Sequence, residues 1–425
     1  MYSPFVDRKG KQLTLDKVRF IHLPQLKEID EGYKVEYKSE LSDEVKKKIP
    51  AIITSFANSS GGWLIIGIDN ETHNVRCIPK LRADYDQIIS QLLSAHVDPI
   101  PEYSSKYIRN PNNGKEGVLA VFIPEGRLTP YIADGTVYVR NGSSKEPIKS
   151  ERATIDRLYQ KTTVLQAEID SFCTRNVHFS PDRFRDGVGK ITYPICNIYF
   201  KNISEDRSVF SGKFEQVYDY VKTTEMQGLF KCKQYTFDSI VLRHLPLDPS
   251  ENGVTLTLEL FKDASAKIHV PMISNNEEQN KAIAELTKHH LIRGAGLKVC
   301  SGVDTFGCIT SALYVLECIY SRFDIKKAGF VLRFEFENAG NTALFFEGST
   351  YIEDAKQNGL RVCCRDYSKS PLIYLKDYPD LTYANVIDSL AYDYFMTEFG
   401  FPQDVSCTIV QEASKIRYPQ NELPH

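Results

Sequence analysis

Between residues 33 and 69 the chain changes its hydrophobic period twice. Residues 33–39 (YKVEYKS) alternate, with Tyr33, Val35 and Tyr37 on one side and Lys34, Glu36 and Lys38 on the other, which predicts a half-buried strand with a charged face. Residues 41–58 (LSDEVKKKIPAIITSFAN) then place Ile49, Ile52, Ile53 and Phe56 at helical spacing behind a Ser42 start signal followed by acids. Pro50 leaves two forms open, a helix kinked there or a helix beginning there, where the missing N–H costs nothing. Residues 61–69 (GGWLIIGID) read as a strand buried on both faces that stops on a carboxylate, Asp69, with NVRCI (74–78) as its hairpin return.

Further on, DYDQIISQLLSAH (84–96) has helical period, EGVLAVFIP (116–124) reads as a second buried strand, and GTVYVRNGSS (135–144) as a short strand running into a Gly/Ser turn. This order predicts an α/β domain with a mixed sheet over residues 1–160. A helix over ERATIDRLYQKTTVLQAEIDSF leads out of it, with a helical linker at 161–180. Beyond lies a second domain, 181–425, in which alternating runs such as ITYPICNIYF and FVLRFEFENAGNTALFF are interleaved with helical stretches. The expectation is an α+β or β-sandwich-like fold, with ENAGNT turning a hairpin and Phe334, Phe336, Phe345 and Phe346 in the core.

Composition agrees with two or three packed domains, since 425 residues at 42% hydrophobic exceed one typical core. The net charge of −3 gives no overall attraction to nucleic acid or to an anionic membrane, although the first 160 residues are slightly basic and the rest slightly acidic. No run approaches the roughly 20 apolar residues of a membrane span, and MYSPFVDRKGKQ lacks the apolar core of a secretory signal, so a cytoplasmic protein is expected. Ten cysteines are scattered without CxxC spacing, as reduced thiols would be; the Cys363–Cys364 pair reads as two core thiols, and structural zinc is not predicted.

Chemistry concentrates near the first two strands. Glu36 and Lys38 share one strand face, Asp69 ends the next strand, and Glu31 joins them if the chain bends at Gly32. Carboxylates crowded together raise each other's pKa and persist mainly around a cation. Oxygen-only ligands suit magnesium or manganese, which would polarise a phosphoryl oxygen while Lys38 neutralised charge on a scissile phosphate. The turn from Arg140 through Asn141, Ser143 and Ser144 offers a guanidinium, hydroxyls and backbone N–H groups as a phosphate cradle, or serves as an ordinary turn. Lys46, Lys47 and Lys48 suit a nucleic-acid backbone or a solvated helix face, and His289–His290 suit the surface or an interface.

Glu31, four residues, Glu36-Tyr37-Lys38, then SFANSSGGWLIIGID and later VYVRNGSS together resemble the AlbA-type domain of the Schlafen family, described in bacteria as a DNA-binding AlbA_2 domain. The likeness covers about residues 20–160. It implies that Glu31, Glu36 and Asp69 are the three acids of a nuclease site that cleaves tRNA and rRNA with a divalent metal, with Lys38 beside them. NSSGG replaces the family's usual Thr-Glu after the asparagine, and Asn70 stands where a second aspartate is common. The animal enzymes set two such lobes around a helical RNA, so a single lobe here implies a homodimer. The expected function is therefore a metal-dependent endoribonuclease, in a setting such as bacterial stress or phage defence, with the second domain as a sensor or specificity module for a protein or small ligand. The alternative is a non-catalytic nucleic-acid-binding regulator; ATP binding lacks a Walker-type loop.

Overall fold

In the first unit, β1 (Val35–Lys38) lies parallel to β2 (Gly62–Ile66), with Glu36 opposite Leu64 and Lys38 opposite Ile66. The crossover between them is α1 (Asp43–Asn58), whose first turn is capped by the Ser42 hydroxyl accepting the Val45 N–H at 3.4 Å. The helix runs through Pro50, so the proline lies inside it. There follow β3 (Ile78–Pro79), α2 (Tyr85–His96), β4 (Val97–Asp98), β5 (Ser104–Arg109), β6 (Glu116–Ile123), β7 (Ile132–Ala133), β8 (Thr136–Val139), β9 (Ile148–Lys149) and α3 (Arg152–Phe172). The main sheet has the order β1-β2-β6-β3, with β5 also on β6; apart from the parallel β1–β2 pair its ladders are antiparallel, giving the mixed sheet expected. Strands β4, β7, β8 and β9 form a second, smaller sheet.

The structure is a computed structural model that describes residues 2–417 apart from 82–83, 142–146, 175–192, 205–208, 224–229, 231, 245–255, 273–275, 293–295, 326–328 and 379–389. The chain divides into two units, Met1–Ser171 and Phe172–His425. Helix α3 packs on the first: Thr129 Oγ1 donates to the Leu158 carbonyl at 2.8 Å, Arg127 pairs with Glu168 at 2.5 Å, and Lys161 pairs with Glu125. Residues 161–172, read from sequence as the start of a linker, therefore complete that helix.

Apolar side chains cover the main sheet on both faces. Leu64, Ile66, Leu119 and Val121 meet α1 and α2 through Ile49, Ile52, Ile53, Phe56, Ile89 and Leu93. Val35, Tyr37, Trp63 and Ile65 meet the N-terminal segment through Phe5, Val18, Leu23 and Leu26. All four residues of β1 are consequently buried, Glu36 and Lys38 included, where alternation had predicted a half-buried strand with a charged face. The hairpin expected after β2 is reduced to one bridge, Ile68 to Val75; the chain then moves on, and β3 pairs with β6.

The second unit contains β10 (Ile195–Asn202), α4 (Phe214–Thr223), β11 (Cys232–Tyr235), β12 (Ser239–Arg243), β13 (Thr257–Phe261), β14 (Ala266–Pro271), α5 (Asn276–Lys288), β15 (Lys298–Ser301), α6 (Gly302–Arg322), β16 (Phe330–Glu337), β17 (Thr342–Phe345), α7 (Ser349–Asn358), β18 (Tyr367–Lys369), β19 (Ile373–Tyr374) and a last helix, Gln403–Arg417. Eight strands make one antiparallel sheet in the order β11-β12-β13-β14-β10-β16-β18, with β19 also on β16. Among the described residues this is one large sheet with helices, an α+β arrangement rather than a sandwich. The run ENAGNT does not close a hairpin: β16 pairs with β10, β18 and β19, whereas β17 pairs in parallel with β15. Left-handed Asn338 and Asn341, at φ 53° and 57°, redirect the chain between the two.

Helix α6 is long and apolar enough to cross a membrane, yet Ile309, Leu313, Leu316, Ile319 and Tyr320 lie in this unit's core beside Phe334, Phe336 and Phe346. Phe345 is half-buried against that core; Cys363 is buried while Cys364 is exposed, so the cysteine pair is split between core and solvent. The opposite sheet face carries buried polar groups, among them Asn197, Glu259, Lys267, His269 and Glu335.

Candidate functional site

The helix-to-strand turn builds the site. Gly61 takes φ +70°, and a Cβ there would lie 2.7 Å from the Glu125 nitrogen. A Cβ on Gly62 would lie 2.3 Å from the Phe56 ring, so the glycine lets that ring press against the start of β2. The preceding Asn58 is buried at the end of α1: its amide donates to the carbonyls of Tyr131 at 2.8 Å and Tyr138 at 2.9 Å, and its oxygen accepts the Tyr131 N–H. Ser59 Oγ accepts the Arg140 N–H at 2.8 Å. Residues 56–62 thus hold β8 and its successor, Arg140, over the sheet.

Arg140 stacks on the Phe56 ring at 4.4 Å and pairs with Glu36 Oε2 at 2.6 Å; the two side chains are 0% and 1% exposed. Lys38 Nζ takes the other carboxylate oxygen at 2.6 Å. Glu36 is therefore a buried anion between two cations, one from its own strand and one 104 residues away. Charges desolvated this deeply persist only when paired with good geometry. Arg140, which the sequence offered as part of a phosphate cradle or of an ordinary turn, is buried because its aliphatic stem and guanidinium find an aromatic face and a carboxylate inside the fold. Asn141 is exposed just beyond it, and Ser143 and Ser144 lie outside the described residues.

Glu31 returns as its position before a bend requires. The Gly32 N–H donates to the Val35 carbonyl at 3.0 Å, and Glu31 Oε1 accepts the Tyr37 N–H at 2.7 Å on the open edge of β1. Asp69 lies at the start of a loop tied to the end of β1, where the Ser39 hydroxyl donates to Asn70 at 3.3 Å. Asp69 Oδ1 accepts the N–H groups of Glu71 and Thr72 and the Thr72 hydroxyl, and Oδ2 pairs with Arg76 at 2.6 Å. The Thr72 N–H and hydroxyl, then the Glu71 N–H and the Arg76 charge, hold this carboxyl below its ordinary range against the opposing effect of burial.

The acids singled out in the sequence thus arrive at one end of β1, but each is satisfied separately. Among the described residues no three His, Cys, Asp or Glu side chains are gathered to hold a metal ion. Glu36 has a cation on each oxygen and Asp69 has Arg76, so in this arrangement Glu31, Glu36 and Asp69 do not fit a shared magnesium or manganese ion. Sequence reasoning missed Phe56, Asn58, Ser59, Thr72 and Arg76. The available signal was ANSSGG itself, polar residues placed where the apolar period of α1 continues.

The site thus lies in an α/β domain with a mixed sheet, at a parallel strand pair crossed over by α1. The family model described as Schlafen, AlbA_2 matches residues 31–149, within the first unit. The chain is 32% identical over 62 residues to Poxin-Schlafen of Monkeypox virus (strain Zaire-96-I-16), covering 15% of this chain and 12% of that protein. It is 30% identical over 87 residues to Poxin-Schlafen of Cowpox virus (strain Brighton Red), covering 18% and 17%. The chain therefore spans less than a fifth of the length of these relatives. Among solved structures, the DIP2311 protein from Corynebacterium diphtheriae aligns with 57% of this chain and 75% of its own, at 12% identity and TM-score 0.23.

Proposed function

We propose that the first unit binds folded RNA at the C-terminal end of β1 and hydrolyses its phosphodiester backbone, as an endoribonuclease acting on tRNA or an RNA of similar shape. The observation that supports this is the arrival of Glu31, Glu36, Lys38 and Asp69 at one strand end inside a Schlafen AlbA_2 domain. A carboxylate at such a place can orient a water or accept its proton, and an ammonium beside it can stabilise charge developing on a phosphate. The second unit would select the RNA or respond to a protein or small ligand, and two copies of the chain would supply two lobes for a duplex. A non-cleaving nucleic-acid-binding regulator is the second reading, favoured by the neutralisation of Glu36 and Asp69 by their own cations.

The deciding experiment incubates the full chain with total tRNA in magnesium, in manganese and in chelator, beside Glu36→Gln and Asp69→Asn. Cleavage by the parent that both variants lose supports the hydrolase, and the chelator arm reports metal dependence. RNA bound and left intact under every condition establishes the regulator. Solution mass tests the homodimer.

A further inference from the structure

We propose that Arg76 is an RNA-phosphate contact of this site and that Asp69 is its positioning residue, holding the guanidinium just beyond β2 with donors turned to solvent. The inference rests on the RNA-directed reading above and deepens it, because it gives Asp69 a part in binding RNA in place of a part in the chemistry.

The cations of this strand end divide by burial. The Lys38 and Arg140 side chains are 10% and 0% exposed, and each faces an oxygen of Glu36. Neither presents its charge to a ligand arriving from solvent. The Arg76 side chain is 62% exposed, although that of its partner Asp69 is only 11% exposed. Arg76 Nη2 meets Asp69 Oδ2 at 2.6 Å, so one corner of the guanidinium is anchored while most of it lies in water. A guanidinium carries five N–H donors in one plane, and an edge left open matches two oxygens of a phosphate.

The backbone fixes both partners. The N–H groups of Gly67 and Ile68 donate to the Lys38 carbonyl at 2.7 and 3.2 Å, and the Gly67 carbonyl accepts the Arg76 N–H at 2.8 Å. Ile68 bridges Val75, and the Asp69 N–H donates to the Asn74 carbonyl at 2.9 Å. Arg76 is thus tied through Gly67 to the end of β1 that carries Lys38. On Asp69, Oδ1 accepts from Glu71 and Thr72, which leaves Oδ2 toward Arg76. A carboxylate fixed in this way orders the arginine before RNA arrives, and an ordered contact loses less freedom on binding. An ion pair this exposed contributes little to stability, so its removal leaves the fold standing.

Binding of tRNA by the full chain in chelator, at several salt concentrations, tests the assignment. Arg76→Ala should weaken binding about tenfold and lower the slope of log affinity against log salt by about one. Arg76→Lys should keep the slope and recover part of the affinity. Asp69→Asn should weaken binding by the parent and have no further effect in Arg76→Ala. A slope and affinity unchanged by Arg76→Ala, or additive losses in the double variant, overturn the proposal. In cleavage, Asp69→Asn should cut dilute tRNA slowly and regain the parent's rate at saturating tRNA; a loss of kcat at saturation makes Asp69 a chemical group and overturns its positioning role. Should Asp69→Asn fail to fold, the two Arg76 variants decide alone. A parent that binds tRNA without cutting it removes the hydrolytic reading and leaves the Arg76 contact to the binding data, whereas a parent that binds no tRNA overturns both.

Discussion

Each unit buries a glutamate in a sheet, and the two are satisfied by different chemistry. Glu36 of the first unit lies between an ammonium and a guanidinium at 2.6 Å each. Glu335 of the second accepts the Asn197 amide at 3.0 Å, the Tyr367 hydroxyl at 2.7 Å and the Tyr199 hydroxyl, with Lys369 farther off at 3.2 Å. Burial first, and then the negative charge of Glu335, push the Tyr199 hydroxyl well above its ordinary pKa, so it remains a donor across the working range. Glu335 thus meets three neutral donors and one ammonium, whereas both contacts of Glu36 are cationic. The two buried glutamates thus differ in the charge of their partners and not in burial.

The largest effect expected is that of Glu36→Ala, which leaves Lys38 and Arg140 buried without their counter-charge and should cost about 3–5 kcal/mol in chemical denaturation. Glu36→Ala/Arg140→Met should recover part of that loss, and no recovery would mean that the cations find other partners. Asn58→Ala orphans three buried backbone groups of the neighbouring strands and should cost about 2 kcal/mol, without involving any charge. Glu335→Gln should cost about 1–2 kcal/mol, because the amide oxygen replaces only one carboxylate oxygen and keeps one of the two phenol hydrogen bonds. A Glu335→Gln loss equal to that of Glu36→Ala would erase the contrast.

The smallest effect concerns Asp69 and is read through pH. Its folded pKa is depressed, so its contribution is fully present above the unfolded value of about 4 and is lost as pH falls through the folded value. Asp69→Asn should therefore be less stable than the parent at pH 6, with the difference narrowing below pH 4. A constant difference from pH 6 to pH 3 would show that the charge of Asp69 plays no part.

Much of the scaffold was legible along the chain because its signals are local. Ser42 capped α1, the apolar run 62–66 became β2, and the periods at 84–96 and 116–124 became α2 and β6. The site was legible only in part. Alternation placed Glu36 and Lys38 on one face, but it cannot distinguish solvent from a distant arginine, and the partner that buries Glu36 comes from 104 residues away. Asparagine and glycine in ENAGNT gave a true turn, as the left-handed Asn338 and Asn341 show, yet the turn led to another sheet because pairing is settled by tertiary packing. The roles of Asn58 and Ser59 were hidden for a related reason: their hydrogen bonds reach strands that the helix itself does not specify.

Cleavage of tRNA by three proteins in parallel, the parent, Glu36→Gln and Glu335→Gln, tests the account most directly. The parent and Glu335→Gln should cut the RNA at similar rates, while Glu36→Gln binds it and leaves it whole. Equal cutting by Glu36→Gln and the parent, or loss of cutting in Glu335→Gln at unchanged stability, would contradict the assignment of the chemistry to the Glu36 cluster.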